Sequence, residues 1–69
     1  MNFKLNDKVI SKSKWSMDRE GEVHKVSELG IHVKFLEKNS YVEKYVYEIF
    51  RYEKTHRLHS GIEQLIHLN

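Results

Sequence analysis

Residues 21–35 read GEVHKVSELGIHVKF. Ile31, Val33 and Phe35 alternate with His32, Lys34 and Leu36, the period-two pattern of a half-buried strand. Glu22–Ser27 is a second strand, and Glu28-Leu29-Gly30 joins the two as a hairpin. A short connection ending in glycine suits a loop whose last residue needs positive φ, so Gly30 is expected there. Val23 and Val26 stand three apart, which puts them on opposite faces of a regular strand. A bulge or sharp bend near His24-Lys25 returns both to the core, as in small, strongly curved barrels.

Outward from the hairpin, Phe3 and Leu5 alternate with polar residues, and Asn6-Asp7 is a turn signal in which Asn tolerates left-handed backbone. Lys8–Ser11 reads as the first strand. Ser13–Glu20 is a polar loop interrupted by Trp15 and Met17, and Lys38-Asn39-Ser40 makes the turn after the hairpin. Tyr41–Tyr52 admits two readings. Val42, Tyr45, Val46, Ile49 and Phe50 fall at helical spacing behind a capping box, Ser40-x-x-Glu43. The density of Tyr and Val favours a strand instead, and a hairpin needs further partners to be stable. The strand reading is preferred: a strand over Tyr41–Tyr47, one helical turn at Glu48-Ile49-Phe50, and a fifth strand over Arg51–Arg57. In the tail, Ser60 and Glu63 have capping-box spacing and Ile62, Leu65 and Ile66 form one stripe, which predicts a short helix over Ser60–Asn69 packed on the sheet.

The chain has 69 residues, a formal net charge of +2 and no cysteine or proline. One domain is expected, divided into residues 1–58 and a helical tail, 59–69. Without cysteine there is neither a disulfide nor a thiolate metal site. No stretch approaches the length of a membrane span or a signal peptide, so a cytoplasmic protein without membrane contact is expected. Twelve Lys+Arg against ten Asp+Glu is a mixed balance rather than the single-sign field of a dedicated nucleic-acid binder.

Laid out this way, FKLNDKV, the G-x-V-x-x-V run at Gly21–Val26, GIHVKF, and a Tyr/Val strand entering YEIFRYE resemble the small SH3-like barrels of the KOW and Tudor type. Val46-Tyr47-Glu48-Ile49 looks like the family's run into its last turn, and Asn6 stands where glycine is usual. The resemblance covers roughly Phe3 to Arg57 and implies a mainly β, five-stranded SH3-like barrel carrying the short C-terminal helix. Such motifs define a barrel rather than an activity. The Lys/Glu/Asn/Tyr-rich composition also resembles stand-alone proteins of phages and mobile elements.

Catalytic chemistry leaves no signature: there is no nucleophile elbow, no phosphate-cradling glycine loop and no paired carboxylates, so a non-enzymatic protein without cofactor is expected. Five histidines are present. His56, His59 and His67 offer three imidazoles and His24 and His32 face each other across the hairpin, yet scattered surface histidines are the plainer reading, and no metal is assigned. The aromatic residues carry more. With Val42 and Val46 inward, Tyr41, Tyr45 and Tyr47 face outward near Lys34, and Trp15 lies in a polar loop between Lys14 and Arg19. Trp15, Lys14, Arg19, Lys34, Tyr41, Tyr45 and Tyr47 are therefore the expected binding residues. A protein-binding module, adaptor or inhibitor, is the first functional expectation, because Tyr and Trp are enriched at interfaces. A KOW/Tudor-type nucleic-acid binder, stacking bases beside cations, is the alternative. The chain is expected to be a monomer or a weak homodimer.

Overall fold

The computed structural model describes residues 2–12, 17–53 and 60–68. Five strands form one antiparallel sheet: β1 (Lys8–Ser11), β2 (Arg19–Val26), β3 (Gly30–Lys38), β4 (Glu43–Arg51) and β5 (Leu65–His67), in the order β4-β3-β2-β1-β5. A 3-10 turn, Ile62–Gln64, precedes β5. Period-two alternation in β3 puts Ile31, Val33 and Phe35 on one face, where they join Val9, Val23, Phe50 and Leu65 in an almost wholly buried core closed by Phe3. Every strand contributes to that one face. Ile62 packs against the same cluster. The result is compatible with a small barrel, yet the sheet is not closed into one. Its two edges, β4 and β5, do not pair with each other among the described residues; β4 meets the segment before β5 at a parallel bridge between Arg51 and Gly61.

The hairpin stands where the alternation put it, with two differences. The ladder between β2 and β3 slips between Val23 and Lys25, leaving His24 as the bulge, so Val26 pairs with Ile31 on the core face. At the strand end, however, Val26 stays 45% exposed and outside the core. Gly30 has no positive φ; that conformation belongs to Asn6, at φ 73°. Glycine is required at position 30 for space instead. A Cβ there would lie 2.2 Å from the Phe50 carbonyl oxygen across the ladder. Gly21 likewise leaves room for Phe35 and Val33, each 2.7 Å from where its Cβ would stand.

Residues 43–51 are strand throughout, so the helical turn expected at Glu48-Ile49-Phe50 is not formed. Glu48 pairs with Val33 and Phe50 with Ile31, and turning the backbone there would lift Phe50 out of the core. The fifth strand expected over Arg51–Arg57 falls largely on residues 54–59, outside the described residues; β4 ends at Arg51. The C-terminal helix is also replaced. Leu65–His67 pairs antiparallel with β1, which satisfies its backbone groups and buries Leu65, whereas an isolated ten-residue helix would gain no such partner. Ser60, expected as a helix cap, donates its hydroxyl to Glu48 at 2.9 Å.

Candidate functional site

The face of the sheet opposite the core carries a continuous row. Lys8 pairs with Glu22, Glu22 with Lys34 and Lys34 with Tyr47, one residue from each of β1 to β4. One register step away Leu36 stands opposite Tyr45. Antiparallel partners project to the same side, so strand pairing alone assembles this surface.

Lys34 is at its centre. Its Nζ lies 5.1 Å from the Tyr45 ring centroid and 3.7 Å from Glu22 Oε1. Lys8 hydrogen-bonds the other oxygen of the same carboxylate. The Lys8 ammonium holds the Glu22 carboxyl below its ordinary range, partial burial opposes this, and the Lys34 charge adds to the lowering. Tyr45 and Tyr47 remain 54% and 60% exposed. A groove of about 490 Å³ runs between Lys8, Glu22, Lys34, Leu36, Tyr45 and Leu68. Its volume is that of a small-molecule pocket, but it lies open along the sheet and offers a surface rather than an enclosure. Beyond Leu36 the surface continues to Met17 and Val42, both exposed.

At the other end of the row, His24 packs edge-on against Tyr47 (4.9 Å between centroids) and against His32 (5.9 Å). Alternation from the buried Val23 puts His24 on this face, and the bulge sets Lys25 on it as well, opposite His32. His32 shares a 2.7 Å hydrogen bond with the Ser27 hydroxyl. Burial, then the nearby Lys25 and His24 charges, push the His32 pKa below its ordinary value. Among the described residues no group of three or more His, Asp or Glu is placed to hold a metal ion. His67 stacks on Phe3 at 4.4 Å and meets Asp7 at 3.1 Å, a structural role, while His56 and His59 lie outside the described residues.

Of the residues expected to bind, Lys34, Tyr45 and Tyr47 come together. Tyr41, 95% exposed, sits in the turn between β3 and β4. Lys14 and Trp15 lie outside the described residues. Arg19 is on the opposite face. Its guanidinium covers the Phe35 ring at 4.1 Å and pairs with Glu48 at 3.2 Å, sealing the end of the core. Sequence reasoning missed Lys8, Glu22 and Leu36, which strand register alone brings to Lys34. Among the described residues no helix is long and apolar enough to cross a membrane. No family model, curated protein or solved structure matches the chain.

Proposed function

We propose that the chain is a small, open SH3-like β domain acting as a non-enzymatic protein-binding module through its outer face. The observation that carries this reading is the exposure of Tyr45, Tyr47 and Leu36 around a lysine whose charge is already engaged by Glu22. Aromatic and apolar groups set beside compensated charge suit a desolvated protein interface, where tyrosine is enriched and unpaired charge is disfavoured. Trp15, Lys14 and Tyr41 belong to the proposal as further contacts, and Arg19 enters it only as support for β2 and β4.

The interleaving of Lys34 and His24 with the two tyrosines supports a second reading, stacking of nucleic-acid bases. The engagement of both Lys8 and Lys34 by one carboxylate favours the first, because neutralising phosphates draws on lysines that no carboxylate already holds. Alanine substitution at Tyr45 and Tyr47 tests the surface. Loss of about 2 kcal/mol of binding energy for a partner captured from the source cells supports it. Unaltered binding by both variants overturns it.

A further inference from the structure

His24 and His32 sit on neighbouring strands of one hairpin, and the ladder between β2 and β3 fixes how far apart they stand. Their ring centroids are 5.9 Å apart. Two imidazoles sharing one metal ion, each nitrogen at about 2.0–2.1 Å, have centroids about 4.5 Å apart at a right angle and about 6.4 Å apart when opposed. The pair falls inside that range. Both residues are half-buried, and among the described residues neither ring meets a carboxylate. Each ring also has a nitrogen to give. The Ser27 hydroxyl holds His32 through Nε2 at 2.7 Å, and the same oxygen accepts the Leu29 N–H at 3.2 Å. An Nε2–H donated to Ser27 leaves the Nδ1 lone pair for a ligand, and metal-bound histidines are commonly oriented by such a partner on the other nitrogen. Among the described residues no hydrogen bond takes up either nitrogen of His24, whose ring is positioned by packing on Tyr47 at 4.9 Å. Burial first, and then the positive neighbours, favour the neutral His32 ring, the form that ligates. Lys25, opposite His32, is exposed, so solvent weakens its repulsion of an ion between the rings.

We propose that His24 and His32 together bind one divalent transition-metal ion, copper(II) or zinc(II), with water completing its coordination. Imidazole nitrogen suits these ions, whereas magnesium and calcium take oxygen ligands that the pair does not offer. Two protein ligands leave the coordination open, so affinity follows the general order in which copper(II) exceeds zinc(II). The ion bridges β2 and β3 and stabilises the hairpin by binding the folded form. The site stands independently of what the tyrosines of the outer face bind.

The test is calorimetric titration of the full chain with CuCl2 and with ZnCl2 at neutral pH, with the histidine Cε1–H resonances followed by NMR during the zinc titration. The expected result is one zinc ion per chain bound with a Kd below about 0.1 mM, and copper bound more tightly. The His24 and His32 resonances shift together, and the melting temperature rises with added zinc. His24→Gln and His32→Gln each weaken zinc binding about tenfold or more. His67→Gln and the double variant His56→Gln/His59→Gln leave it unchanged. Either of the first two variants supplies the comparison if the other does not fold. Saturation only above about 1 mM, zinc binding that no folded His24 or His32 variant weakens, or shifts confined to His56, His59 or His67 overturns the proposal.

Discussion

A methyl group at Gly30 would meet backbone, not a movable side chain, since Phe50 O, Phe50 C and Arg51 Cα all stand within 2.8 Å of the Cβ position. Gly30→Ala is therefore expected to cost about 3 kcal/mol, enough to unfold much of a domain this small. Urea denaturation measures it, and a loss under 1 kcal/mol contradicts the close approach. At Asn6 the constraint is conformational: Asn6→Ala costs about 1 kcal/mol and Asn6→Gly almost nothing. His32 gives the fold a pH dependence of definite sign. Its folded pKa lies below the ordinary 6.5, so the neutral ring is favoured in the folded state. Its contribution is complete above the unfolded pKa and is lost as pH falls through 6.5 toward the folded value. Melting temperature should fall between neutral pH and pH about 5, and His32→Gln should flatten that slope. An unchanged slope in the variant removes His32 from the account.

β4 shows why one element was only half legible. Val42, Val46 and Phe50 are spaced by four, a step that fits a helix face and, being even, a strand face equally well. Pairing with β3 decides between them, and pairing is not written in the local sequence. The same holds for the tail. Ile62, Leu65 and Ile66 make a helical stripe on paper, but β1 offers an open edge, so neighbouring Leu65 and Ile66 point to opposite faces. β1, the alternation of β3 and the bulge were legible because each is set by its own apolar pattern. A pair of substitutions separates strand from helix in the tail. Leu65→Ala should cost about 3 kcal/mol, and Ile66→Ala less than 1 kcal/mol, in thermal or urea unfolding. Equal losses would restore the helix. Far-UV circular dichroism should show less helix than the one-third of an ordinary globular protein.

At the scale of the molecule, several of the charges among the described residues stand in pairs. Lys8 and Lys34 share Glu22, Lys12 meets Asp18 at 2.7 Å, and Arg19 meets Glu48. The near balance of the composition anticipated this, but only the three-dimensional register shows that the cations beside the tyrosines already have a carboxylate. The tyrosine face itself was legible, because β-strand parity set Tyr45 and Tyr47 with Lys34. Arg19 was not, since its polar surroundings read as loop, whereas β2 begins there and parity with Val23 puts it on the core face. Protein binding by this face, as proposed, rests on desolvated aromatic contact. It is tested most directly by the salt dependence of affinity for the captured partner, from about 0.05 M to 0.5 M. A change of only a few-fold over that range is expected, with binding lost in the Tyr45→Ala/Tyr47→Ala double variant. A partner that is nucleic acid, with affinity falling about a thousandfold or more as counterions compete for its phosphates, contradicts it.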